Sequence, residues 1–259
     1  MGIKQWGAAV VAGVFALAAA GMAVAERDSA RVYVFGNSLV HHLDETAPNA
    51  NVPHWLNELA RADGRSLQLD GRWGFMRNFA EDLPPFNNWS FPGVARLNGQ
   101  TPDAYVVTPA NFIQNNLPNV PYGGENPTAE TPFGAALTVF DWAAQTAPDA
   151  RLFVYEGWAL MRVITGEFPP DAEGLARYHA ANGGDYHLWF EDLIGMLENA
   201  RPGRDIGLIP VASVFSKVFG PGGVLEDMPV EALYTDGAPH GTETLYFLAA
   251  LVTYSALYE

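Results

Sequence analysis

The chain has 259 residues, of which 49% are hydrophobic, and a formal net charge of -15 at pH 7. That length supports one substantial core, near the upper range of a single domain, while the charge, with Lys4 and Lys217 as the only lysines, excludes nucleic acid and anionic membrane surfaces as partners, because both need a basic footprint. The lack of cysteine excludes a disulfide framework, a thiolate nucleophile and a zinc–thiolate site.

Residues 1–25 read as a leader. Lys4 gives a basic start, "AAVVAGVFALAAAGMA" is a continuous small and apolar run, and Ala23-Val24-Ala25 fits a small-residue cleavage site. The run is about 16 residues, short of the roughly 20 that span a bilayer. We therefore expect a cleaved signal peptide, a single domain over 26–259, secretion or export to a bacterial periplasm, and no stable membrane insertion after cleavage. The sequence leaves the oligomeric state open.

The mature chain alternates strand-like and helix-like segments. A β-rich run, "RVYVFG" (31–36), precedes a helical pattern at 53–63 with Pro53 at a first-turn position. "SLQLDG" (66–71) and "AYVVTP" (104–109) follow, then helical patterns at 133–147 and 185–200 flanking "RLFVYEG" (151–157), then "IGLIPV" (206–211) and an almost wholly apolar helix over 242–258. Near-continuous apolar strands interleaved with helices predict a parallel sheet covered on both faces. In such sheets ligands bind at the carboxyl ends of the strands. The connections 72–103 and 111–132 are long and rich in Pro, Asn and Gly, yet Trp73, Trp89, Phe91 and Tyr122 argue against disorder.

The strand-end rule selects the candidate residues. Ser38 follows the first strand and is expected to open the next helix, where backbone N–H groups favour developing negative charge. Its alternative reading is a helix cap, a role open to Asn37 or Ser38. Gly71 or Gly74 after the second strand would let backbone approach a ligand, and Asn111 after the third could donate an amide hydrogen bond to an oxyanion. Trp73, Glu156 and Trp158 fall on the same rim as candidate substrate contacts; for Glu156 the alternative is a buried carboxylate paired with an arginine such as Arg162. His240, in "YTDGAPHGTETLYF", lies four residues after Asp236, which could orient its imidazole. His41 and His42 are expected on the helix after Ser38, about 100° apart and thus unable to share a metal ion. His179 and His187 read as packing and loop residues. No metal and no cofactor is expected.

With Ser38, a glycine, Asn111 and His240 in chain order, the sequence resembles the SGNH hydrolases, the GDSL esterase/lipase superfamily. "VFGNSLV" is similar to that family's first block with Asn37 in place of Asp. "PDAYVVTPANF" is similar to its Gly-x-Asn block with Pro109 in place of Gly, and "TDGAPHGTETLYFLAALV" is similar to its Asp-x-x-His block with one extra residue in the spacing. The resemblance implies a flavodoxin-like three-layer α/β/α sandwich with a five-stranded parallel sheet. It further implies a serine esterase with Ser38 as nucleophile, His240 as base and Asp236 as orienting acid, and an oxyanion hole of the Ser38 backbone N–H, Gly74 and Asn111. The implied substrate is a small-molecule or polysaccharide ester, an acylated carbohydrate ahead of a lipid-like one. Acyl transfer to a sugar hydroxyl and a decayed, secreted binding protein are the alternatives left open.

Overall fold

A computed structural model describes residues 27–43, 50–86, 89, 91–109, 116–238 and 240–259. The expected leader and Asn111 lie outside the described residues. Five strands, β1 (Ser29–Gly36), β2 (Ser66–Trp73), β3 (Ala104–Val107), β4 (Arg151–Tyr155) and β5 (Ile206–Ile209), form one sheet in the order β2-β1-β3-β4-β5. Every pairing is parallel.

Period-two alternation divides the strand side chains between two cores. Val32 and Val34, Ala104 and Val106, and Phe153 and Tyr155 face one side; Tyr33 and Phe35, Tyr105 and Val107, and Leu152 and Val154 face the other. The first face is covered by α1 (Val52–Ala62) and by two helices near the C-terminus, described below; the second by α2 (Met76–Glu81), α3 (Pro132–Thr146) and a long helix after β4. The result is the expected three-layer α/β/α sandwich. Because both faces are buried, the strands read as apolar runs instead of alternating ones.

Between β4 and β5 lie α4 (Met161–Thr165), α5 (Ala172–Gly183) and α6 (Asp185–Ala200); after β5 come α7 (Val211–Phe219) and α8 (Glu243–Tyr258). The last two complete the cover of the first face. Thr242 caps α8, accepting from the Leu245 N–H at 3.4 Å, and this fixes where the His240 loop ends. Eleven α8 residues, including Leu245, Tyr246 and Leu257, are buried, so the helix is apolar almost all round for the reason its sequence suggests. Among the described residues no helix is long and apolar enough to cross a membrane.

The connection after β2 packs along the sheet. It contributes α2, then runs back along the outer edge of β2, where Ala95 bridges Gln68 and Trp89 bridges Gly71. The Leu69 N–H donates to the Ala95 carbonyl at 2.8 Å, and Asp70 holds Arg96 at 2.7 Å and the Leu97 N–H at 3.2 Å. The segment thereby satisfies donors and acceptors that an open edge strand would expose. Trp89, Phe91 and Tyr122 are buried, so these loop aromatics build the fold and do not supply a flat surface for substrate.

Candidate active site

No helix follows Ser38 directly. After β1 the chain makes a single turn in which the Asn37 carbonyl accepts from the N–H groups of Val40 and His41, each at 3.0 Å, and α1 begins only at Val52. Asn37 Oδ1 also accepts the Leu39 N–H at 3.0 Å. The capping role is therefore filled by Asn37, which is fully buried. Among the described residues neither the Ser38 hydroxyl nor its N–H is engaged in a hydrogen bond, although the residue is largely buried.

Three contacts hold that turn in place. The Tyr246 hydroxyl, from α8, donates to the Ser38 carbonyl at 2.7 Å, and the Tyr155 hydroxyl, at the end of β4, donates to the Leu39 carbonyl at 3.3 Å. Leu39 then packs against Gly157, where φ is +63° and a Cβ would come within 2.8 Å of Leu39 Cδ1. A side chain at 157 would meet both an unfavourable backbone region and a buried neighbour. Tight packing of this kind fixes the position of the serine backbone.

His240 and Asp236 form a pair despite the extra residue between them. His240 Nδ1 lies 2.8 Å from Asp236 Oδ2, and the His240 N–H donates to Asp236 Oδ1 at 3.4 Å. The loop closes on itself through the Thr235 N–H and the His240 carbonyl, 3.0 Å apart, and the Tyr234–Gly241 bridge extends the closure. The His240 side chain is 21% exposed and that of Asp236 43%. Ser38 and His240 do not hydrogen-bond to each other. The His42 imidazole instead lies flat on that of His240, with ring centroids 3.7 Å apart and planes 9° from parallel.

His41 and His42 are not helical neighbours. His41 turns inward against Trp89 and Phe91, with ring centroids 5.9 and 5.3 Å away. Burial, with a lesser contribution from the charge of His42, lowers its pKa to about 4. The two imidazoles thus meet different neighbours for a reason other than the expected helical spacing, and that of His42 touches the candidate base.

The remaining candidates separate. Gly74 follows β2, and its N–H donates to the Gly36 carbonyl at 2.9 Å, so it can reach an oxyanion only by exchanging that bond. Gly71 lies inside β2, where a Cβ would meet the Val34 carbonyl at 2.6 Å and Trp89 at 2.7 Å; it serves packing. Trp73 is half-buried and meets Phe75 edge-on, ring centroids 5.7 Å apart, while Phe75 itself is 44% exposed. Trp158 is buried between Phe215 and Tyr246 and presents no surface to a substrate.

Glu156 is also inaccessible, with 0% exposure. Its partner is His187, not Arg162: Oε1 lies 2.7 Å from His187 Nδ1, and Oε2 accepts the Ser213 N–H at 3.2 Å. Burial raises its pKa to about 7, against the opposing pull of those hydrogen bonds. His179 is buried and its pKa is lowered to about 4 by desolvation, consistent with a packing residue. Two contributors to the rim were missed from sequence, Tyr246 and His42. Tyr246 is hidden in a uniformly apolar helix, and the stacking partner of His42 is distant in sequence.

No family model matches the chain, and no curated protein matches it. Solved structures do. A protein of Parabacteroides merdae assigned as a GDSL-like lipase superposes with a TM-score of 0.51 at 10% identity, covering 90% of this chain and 97% of that one. A family 3 carbohydrate esterase of Clostridium thermocellum superposes with a TM-score of 0.48 at 14% identity, covering 88% and 94%. The chain has a three-layer α/β/α fold with the 2-1-3-4-5 parallel strand order typical of SGNH-type folds, shared at low identity with the Parabacteroides merdae protein.

Proposed function

We propose that the protein is an exported serine esterase. The observation that carries this reading is the division of labour at the end of β1. Asn37 makes the capping bonds, leaving the Ser38 hydroxyl without a structural task beside a loop on which Asp236 already orients His240.

In the proposed reaction, Ser38 Oγ attacks the ester carbonyl carbon while His240 Nε2 removes its proton. Asp236 keeps the remaining proton on Nδ1 and stabilises the imidazolium. The tetrahedral oxyanion is held by the Ser38 N–H, with the Gly74 N–H and the Asn111 amide as the further donors. His240 returns its proton to the departing alcohol oxygen, forming an acyl-enzyme and free alcohol. A water molecule, deprotonated by His240, then attacks the acyl carbon and releases the acid and the serine. Formation of the Ser38–His240 hydrogen bond accompanies substrate binding, since such bonds are commonly long or misaligned without it.

An acylated carbohydrate is the substrate class we favour. Trp73 and the exposed Phe75 form an aromatic edge beside Gly74, suited to the apolar face of a sugar ring. The test is fluorophosphonate labelling of the purified protein, followed by hydrolysis assays on acetyl, butyryl and longer esters and on acetylated polysaccharides. Labelling at Ser38, lost in Ser38→Ala together with ester hydrolysis, is the expected result. Full activity in Ser38→Ala would remove the assignment, and acyl product recovered on an added sugar acceptor would make it a transferase.

A further inference from the structure

Among the described residues the imidazole of the proposed base has one hydrogen-bonded anchor, and that anchor is half in water. Asp236 is 43% exposed, so solvent competes for its carboxylate and screens its charge. A single bond at Nδ1 fixes one ring atom and the tautomer, but it leaves the imidazole free to pivot about that atom. Catalysis requires the opposite edge, Nε2, to face Ser38 Oγ. Something else has to define the ring plane.

Resting on the reading of His240 as the base of Ser38, we infer that His42 is a positioning residue that sets this plane. Its ring covers the face of His240 at 3.7 Å and 9°. Contact across a whole ring face opposes the tilting that a hydrogen bond in the ring plane permits. His42 also lies just beyond the turn that carries the nucleophile, and the preceding residue is fixed against Trp89 and Phe91, so backbone direction at 41 sends the next side chain the other way. The turn at Ser38 is thereby joined to the His240 loop through the ring stack, and to α8, which follows that loop, through the Tyr246 hydroxyl on the Ser38 carbonyl. A histidine serving packing alone would resemble His179, buried beside Tyr178 and Phe219. His42 is only partly buried and its stacking partner is the candidate base.

The test compares His42→Ala with His42→Phe, which keeps an aromatic face but no imidazole. In His42→Ala, the rate of fluorophosphonate labelling at Ser38 and kcat should both fall about 10- to 100-fold, the scale of a misplaced catalytic group, with KM within about 2-fold. His42→Phe should recover labelling to within about 3-fold of the parent. The His240 Cε1–H proton resonance reports the stack without activity: it should move downfield in His42→Ala and stay upfield in His42→Phe. Parent-like labelling in His42→Ala, no recovery in a folded His42→Phe, or an unmoved resonance overturns the inference while leaving the esterase intact. A parent protein that is not labelled at Ser38 removes the esterase reading and this inference with it.

Discussion

Two carboxylate–imidazole pairs occupy the carboxyl ends of the strands, with nearly equal separations: 2.8 Å for Asp236 and His240, 2.7 Å for Glu156 and His187. Their surroundings differ. Glu156 has no exposed surface, and His187 is held at its other nitrogen by Glu191 at 3.3 Å. Asp236 and His240 remain accessible and sit on a loop joined to the serine turn. The two imidazoles are about equally exposed, 22% for His187 and 21% for His240, but the pair at the buried Glu156 is a strut between β4, α6 and α7 with both ring nitrogens of His187 engaged. An acid hydrogen-bonded to a histidine is therefore not a signature of catalysis; the depth of the acid and the partner at the far ring nitrogen separate the two.

Substitutions can sharpen that contrast. The largest effect is expected from Ser38→Ala, which should lower kcat/KM for an ester on the order of 10^4-fold or more, with the thermal unfolding midpoint little changed because the hydroxyl makes no hydrogen bond among the described residues. Steady-state kinetics and a melting curve check both halves. Next comes Asp236→Asn, for which a loss of about 10^2- to 10^3-fold is expected, less than for a fully buried triad acid because Asp236 is partly solvated. A rate unchanged by Asp236→Asn would transfer the orienting role to another acid.

At the buried pair the expected effect is on stability and its pH dependence. The folded pKa of Glu156, about 7, lies above the ordinary carboxyl value of 4.5, so between these values the folded state holds a proton that the unfolded state has lost. Stability from this group is thus complete below about pH 4.5 and is lost as pH rises through about 7, by roughly 3 kcal/mol in total. Urea titrations at pH 5, 6, 7 and 8 should show this decline, and Glu156→Gln should flatten it. A slope unaltered by Glu156→Gln would mean that another group produces it. The smallest effect is expected from Tyr246→Phe, which leaves the Ser38 carbonyl without its donor and should cost about 1–2 kcal/mol of stability, measurable by the same titration.

The sheet was legible because its strands are short apolar runs, and α1, α3, α6 and α8 because their patterns extend over at least three turns. The helices α2 and α4 are five or six residues long, too short to show a period. Helix α5, "AEGLARYHAANG", contains Gly174, Asn182 and Gly183 and has no strong apolar stripe, while α7 begins directly after Pro210 with no side-chain cap. The Asp236–His240 contact was legible in their spacing, and the place of Ser38 after β1 in the apolar run before it. The strand-end rule was misleading at Glu156 and Trp158, because position at a strand end says nothing about depth. The contact between His42 and His240 joins residues 198 positions apart (240 minus 42), and no local pattern encodes it.

The arrangement at Asn37 has a practical consequence for chemical engineering of the chain. Because the cap and the turn depend on the neighbour's amide and backbone, the atom at Ser38 Oγ can be exchanged for sulfur with the supporting bonds intact. In a sequence that contains no cysteine, Ser38→Cys would create a single addressable thiol at the mouth of the site. Thiol-directed reagents of stepwise length could then measure the space around Ser38, free of competing thiols anywhere else in the sequence.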